Sequence, residues 1–180
     1  MKVNKEHRLE SARICDSPNF SDRLIEEISL LVIHNISLPP GQFGNNFVDQ
    51  FFTNKLDPTK DPYFEEIYEM KVSSHLFIDR KGFLTQFVPF DKAAWHAGVS
   101  VFKGRENCNE FSIGIELEGT DDLEYPSNQY KTLIEVTKAL MGYYPEIKVD
   151  NIVGHKDIAP VRKTDPGEAF DWDLYKSSLS

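Results

Sequence analysis

The sequence predicts an α/β protein of the α+β type: a single domain with a mixed β-sheet flanked by helices. Three observations predict it. A continuous apolar run, Leu30-Leu31-Val32-Ile33, reads as a strand covered on both faces. Two apolar segments joined by Asp79-Arg80-Lys81-Gly82 read as a hairpin. A long stretch near residue 130 has helical spacing. Strand and helix signals mix along the chain without an internal repeat, which is the pattern of a sheet with helices packed on it.

Residues 1–27 are polar and irregular, with Ser17-Pro18 as a turn signal. The first strand covers Ser29 to Asn35, and Pro39-Pro40-Gly41 ends regular structure beyond it. Residues 36–70 form a long insertion, with short helices expected at Asn46–Thr53 and Pro62–Met70. A long segment with little structure of its own is either a functional lid or a static cover. The hairpin strands span Ser73–Asp79 and Gly82–Pro89. Phe111 to Glu118 alternates cleanly: Phe111, Ile113, Ile115 and Leu117 share one face, and Ser112, Gly114, Glu116 and Glu118 the other. Ser127 to Tyr144 is the clearest helix, with Ser127 as its N-cap and Pro145 as its stop. Asn151 to Gly154 is a short strand leading to His155, a loop with Pro160 and Pro166-Gly167 follows, and a helix at Phe170–Leu179 closes the chain.

The chain has 180 residues with 20 Lys+Arg and 29 Asp+Glu, hence a net charge of −9. A chain this long buries roughly 70% of its unfolded surface, so one domain spanning 1–180, with a core at about 25–175, is expected. The acidic balance argues against a nucleic-acid binder, which needs a basic face to displace counterions. Cys15 and Cys108 form no C-x-x-C pair and read as small buried hydrophobes. The start, Met1-Lys2-Val3-Asn4-Lys5-Glu6-His7-Arg8, is followed by no apolar stretch and does not read as a signal peptide. No run approaches the ~18 apolar residues of a membrane span. A cytoplasmic protein with no membrane contact is therefore expected.

Two of the five histidines, His34 and His155, sit at strand ends, where open sheets gather their ligands. Two histidines and one carboxylate suit a catalytic zinc with an open fourth position. Spacing alone leaves the alternative open, because a histidine at a strand end is more often a hydrogen-bonded structural residue. No H-E-x-x-H, Walker A, G-x-G-x-x-G or G-x-S-x-G occurs. Glu116 is either a solvated carboxylate or a proton-transfer group, and Ser112 and Gly114 beside it leave room for a ligand. Lys163 is either a surface charge or a cation aimed at developing negative charge. Trp95-His96 reads as a core anchor beside an exposed ring, or as a stacking ledge for sugar or peptide. His75 reads as structural and His7 as a surface residue.

Four segments carry a resemblance: His34-Asn35-Ile36-Ser37-Leu38-Pro39-Pro40-Gly41, Trp95-His96-Ala97-Gly98-Val99-Ser100, Phe111 through Asp121, and Gly154-His155-Lys156-Asp157-Ile158-Ala159-Pro160-Val161-Arg162-Lys163-Thr164-Asp165-Pro166-Gly167. Over about residues 10–175 the chain closely resembles the zinc N-acetylmuramoyl-L-alanine amidases. Within them it looks like the cytosolic members that act on 1,6-anhydro-N-acetylmuramyl peptides. The resemblance implies a mixed sheet flanked by helices and zinc on His34, His155 and Asp165. It also implies Glu116 as the acid/base residue and Lys163 as stabiliser of the tetrahedral intermediate. Asn35, Lys71, Trp95, His96, Ala97 and Arg162 match substrate-contacting positions. At Lys71 the family commonly has Arg, whose planar fork Lys lacks. Lys71, Arg162 and Lys163 are expected to form a basic cluster for a substrate bearing carboxylates. That substrate is an anhydromuropeptide, cut between its lactyl group and L-Ala during cell-wall recycling, with no obligate protein partner. A fragment-recognition module without catalysis and an amidase of intact wall are the alternatives. The filled site positions speak against the first, and the missing signal peptide against the second.

Overall fold

All four residues of the run Leu30–Ile33 are fully buried, in the strand next to one edge of a six-stranded sheet. The computed structural model describes residues 1–179. It begins with strands β1 (Arg13–Ile14), β2 (Phe20–Asp22) and β3 (Leu30–Ile36), then two short helices, α1 (Phe47–Phe52) and α2 (Phe64–Ile67). A hairpin, β4 (Leu76–Ile78) and β5 (Leu84–Gln86), precedes β6 (Lys92–Ala94), β7 (Val101–Phe102) and β8 (Arg105–Glu106). The last part holds β9 (Ser112–Glu118), α3 (Ser127–Tyr143), β10 (Ile152–Gly154), α4 (His155–Ile158) and α5 (Trp172–Ser177).

The sheet order is β1-β5-β4-β9-β3-β10, parallel throughout except for the antiparallel β4–β5 hairpin. The mixed sheet expected from the sequence is therefore present. Alternation along β3 and β9 divides the core. Leu31, Ile33, Ile113, Ile115 and Leu117 meet Leu133, Val136 and Leu140 of α3 and Tyr175 of α5. On the opposite face Leu30 and Val32 pack with Ala97, Cys108 and Ile158. Further along that face Phe77 packs with Phe51, Phe52, Phe64 and Phe87. The 36–70 segment thus covers the sheet with its own buried aromatics.

Several expectations need correction. Residues 1–27 are not wholly irregular: β1 pairs with β5, and β2 with β6. Ser127 is the first residue of α3 rather than its cap; Pro126 takes the cap position, in extended conformation and without a side-chain cap bond. The chain after Gly154 enters a short helix before the loop. The last helix is shorter than expected, because Asp171 caps it by accepting the Leu174 N–H at 2.8 Å. Cys108 is buried, but Cys15 is only half-buried. Among the described residues no helix is long and apolar enough to cross a membrane.

Candidate metal and active site

Strand register assembles the site. β3 and β9 run parallel with His34 beside Glu116. β10 pairs Gly154 with Ile33, so His155 follows at the level of His34. His155, His34 and Glu116 therefore stand in a row across three parallel strands, just after the end of β10 but two residues before the ends of β3 and β9. His34 thus lies inside its strand and not at the end expected from the sequence. The row is at the carboxyl edge, where open sheets bind ligands. His34 Nδ1 and His155 Nδ1 lie 3.0 Å apart, and each is 3.1 Å from Asp165 Oδ2. Asp165 comes from the loop after α4, and its neighbours fix that loop. The Asn35 side-chain amide donates to Asp121 Oδ1 at 2.8 Å and to the Pro166 carbonyl at 3.1 Å; the Tyr125 hydroxyl donates to the same carbonyl at 2.8 Å. Gly167 turns the chain at φ +82°, where a Cβ would lie 2.1 Å from the Asp121 Cα, so no other residue fits.

These three atoms form the cluster among the described residues that can hold a metal ion. His155 Nε2 sits 3.1 Å from the Ala97 carbonyl, which can only accept. His155 Nε2 therefore carries a proton, and Nδ1 is the nitrogen left to face the cluster. Burial holds His34 down to about 4, so it is neutral at neutral pH. Burial alone would raise the Asp165 carboxyl, but its contacts with His155 and His34 outweigh that and keep it below the ordinary carboxylate range. Two imidazoles and a carboxylate converging on one point suit a cation with at least one position left open.

Glu116 differs from Asp165 in its surroundings. Its Oε2 is buried with no hydrogen-bond partner. Burial, and then the Asp165 charge, push its carboxyl well above the usual range, with Lys163 opposing. A carboxyl tuned upward in this way is suited to moving protons near neutrality. Both Glu116 and Lys163 line a cavity of about 650 Å³ that also takes in His155, Asp165, Trp95 and Tyr63. Leu38, Phe51, Phe52 and Ile67 from the covering segment supply an apolar wall.

The other sequence candidates fall out unequally. Trp95, Arg162 and Asn35 line the cavity. The Arg162 guanidinium is occupied with the Ala97 and Val99 carbonyls, at 2.7 and 2.9 Å. Ala97 is buried, with its carbonyl taken by His155 and Arg162 and its N–H by Asn109 Oδ1 at 2.8 Å. Lys71 is exposed, and its neighbours Met70 and Val72 line the cavity while it does not. The expected three-cation cluster is therefore replaced by a mixed lining, in which Lys163 and Arg162 share the walls with Glu116, Asp121, Asp122 and Asp165. The room beside Glu116 is real, but the protein fills it. The His96 ring lies over Gly114, where a Cβ would come 2.5 Å from the ring carbon Cγ. Sequence reasoning missed Asp121 and Asn109, which act through contacts distant in the chain and belong to no local pattern.

The family model described as N-acetylmuramoyl-L-alanine amidase matches residues 25–168. The chain belongs to that family. It is 55% identical over 172 residues to the 1,6-anhydro-N-acetylmuramyl-L-alanine amidase AmpD of Haemophilus influenzae, covering 95% of this chain and 94% of that one. A crystal structure of a selenomethionine AmpD derivative superposes with a TM-score of 0.97 at 51% identity, over 100% of both chains. A complex of the Escherichia coli amidase AmiD with anhydro-N-acetylmuramic acid-L-Ala-D-γ-Glu-L-Lys matches with a TM-score of 0.62 and 29% identity, over 95% of this chain and 60% of that one. The amidase fold expected from the sequence is thus shared over the full length, and the protein is an enzyme.

His75 of the amidase is structural, as the sequence suggests. Its Nδ1 accepts the Gly114 N–H at 3.0 Å and its Nε2 donates to the Lys92 carbonyl at 2.9 Å. Burial, and then the Arg23 charge, hold it down to about 3. In the unfolded chain the same group titrates near ~6.5. Between these values the unfolded state takes up a proton that the native state refuses, so stability falls as pH falls. The slope this one group adds is at most about 1.4 kcal/mol per pH unit. Urea unfolding of metal-free protein from pH 7 to pH 5 should show it, and His75→Gln should be less steep by up to one proton. Equal slopes in the two proteins would refute the assignment.

Proposed function

We propose that the chain is a zinc amidase that hydrolyses the bond between the lactyl group of 1,6-anhydro-N-acetylmuramic acid and L-Ala in muropeptides, within cell-wall recycling in the cytoplasm. The observation that carries this reading is the His34–His155–Asp165 triangle set in register beside Glu116. Its support is full-length similarity to an enzyme named for that substrate, and the likeness to an amidase in complex with such a fragment.

The donor set fits zinc. Its edges of 3.0 to 3.1 Å are close to the ~3.3 Å edge of a tetrahedron with arms of ~2.0 Å. His34, His155 and Asp165 would hold the ion, which when bound acidifies water and polarises the amide carbonyl. Glu116 takes a proton from the attacking water and delivers it to the leaving L-Ala nitrogen. Lys163, with no ion-pair partner among the described residues, stabilises the negative charge that develops on the carbonyl oxygen. Trp95 offers a flat apolar face to the fragment; of the other contacts that the family resemblance implies, Asn35, His96 and Arg162 line the cavity, whereas Lys71 and Ala97 do not. One water is consumed, giving anhydro-N-acetylmuramic acid and a free peptide amine.

The test is incubation of the purified protein with an anhydromuropeptide, with and without chelator, read by mass spectrometry. Cleavage that the chelator abolishes and zinc restores is the expected result. Binding without cleavage would make the chain a recognition module. Cleavage indifferent to chelator would remove the metal from the reading. Release of peptide from insoluble peptidoglycan at a comparable rate would replace a recycling enzyme by a wall amidase.

A further inference from the structure

We propose that the His96–Ala97 dipeptide is the positioning element of the metal centre, with the His96 imidazole accepting the proton of His34 and so fixing which His34 nitrogen faces the metal. The inference rests on the metal-site reading above and assigns His96 a different partner from the substrate that the family resemblance gives it.

A neutral imidazole has one N–H and one lone pair. His34 can offer a lone pair to the cluster through Nδ1 only if Nε2 carries the proton and that proton has an acceptor. The group facing His34 Nε2 is His96 Nδ1, at 2.8 Å, with the two rings perpendicular. If His96 Nδ1 accepts, His96 Nε2 carries a proton in turn. Ser112 Oγ receives it at 3.0 Å. The three groups thus form a chain polarised in one direction, His34 to His96 to Ser112. His155 is oriented the same way by the next residue, since its Nε2–H meets the Ala97 carbonyl. Both ligand histidines are therefore set by two consecutive residues.

The dipeptide is itself held. Asn109 Oδ1 accepts the backbone N–H of His96 at 3.2 Å and of Ala97 at 2.8 Å. The ring is wedged over β9 by the absence of a side chain at Gly114, where a Cβ would clash with it. Ser112 and Gly114 are small for this reason: one receives the proton and the other makes way for the ring. Metal ligands commonly donate their second nitrogen to a carboxylate, carbonyl or water, and such partners govern affinity. Here Ala97 supplies the carbonyl for one ligand and His96 an imidazole for the other.

Long-range ¹H–¹⁵N NMR of the zinc-loaded wild type reads the tautomers directly. The expected result is Nε2–H on both His34 and His96; a proton on His96 Nδ1 overturns the proposal without any variant. Zinc affinity, measured by chelator competition, should fall about 10–100-fold in His96→Leu. His96→Asn, which keeps an acceptor oxygen near the place of Nδ1, should recover most of it. Equal affinity in wild type and His96→Leu also overturns the proposal, with circular dichroism showing that each variant is folded. A wild type that takes up no zinc would instead defeat the metal-site reading, so the two failures are distinguishable.

Discussion

Glu116→Gln is expected to bind zinc as the wild type does while losing turnover by about 10²–10⁴-fold. The amide keeps the shape of the carboxyl and cannot cycle a proton. Nothing in the surroundings should fail to tolerate it, because Glu116 Oε2 is buried without a partner and the change removes no existing bond there. The variant should in fact melt at the same or a higher temperature in the metal-free state. Burial and the nearby Asp165 both penalise a charge at this position, and an amide escapes that cost. A group kept where it destabilises the fold is the usual sign of a site tuned for chemistry. Steady-state rates, elemental analysis and thermal melts on the same preparation check all three expectations. Near wild-type turnover would end the proton-transfer role.

Much of this site is legible in the sequence because strands announce where they stop. His34 and His155 each follow a short apolar run, and Glu116 lies on the small-residue face of an alternating segment. What periodicity cannot give is register. That Glu116 lies beside His34 rather than two residues away is a property of the β3–β9 pairing, visible only once the strands are laid side by side. The same limit explains the misread gap beside Glu116. Small residues at 112 and 114 signal that something bulky sits over the strand, but not whether it is a ligand or a ring from the same chain. The pairs β2–β6 and β7–β8 escaped for another reason: strands of two or three residues, much of them exposed, carry too few positions to show alternation. Lys71 illustrates the limit of transferring a role by position alone, since its side chain lies outside the cavity its neighbours line.

Asp165→Ala should be the variant that empties the site. Without the carboxylate, two imidazole nitrogens 3.0 Å apart remain, and the only formal negative charge among the three ligands is gone. Loss of a partner that merely orients a ligand costs about 10–100-fold in metal affinity, so loss of a ligand should cost more. Dialysed protein is expected to show little zinc by elemental analysis and little turnover, with the rate partly restored by excess zinc. The fold itself should survive, because Asn35, Tyr125 and Gly167 hold the loop through the Pro166 carbonyl and the turn beside Asp121, not through the Asp165 side chain. The stability response to metal supplies an independent reading. Zinc that binds only the native state stabilises it by about 2.7 kcal/mol at a hundred times its Kd. At that same zinc concentration Asp165→Ala should gain far less, so the gap between the two melting curves should be wider with zinc than with chelator, where only the Asp165 contacts to His34 and His155 are lost. Unchanged zinc content in the variant would contradict the ligand assignment. A melting difference as large with chelator as with zinc would mean instead that Asp165 serves the fold and not the metal.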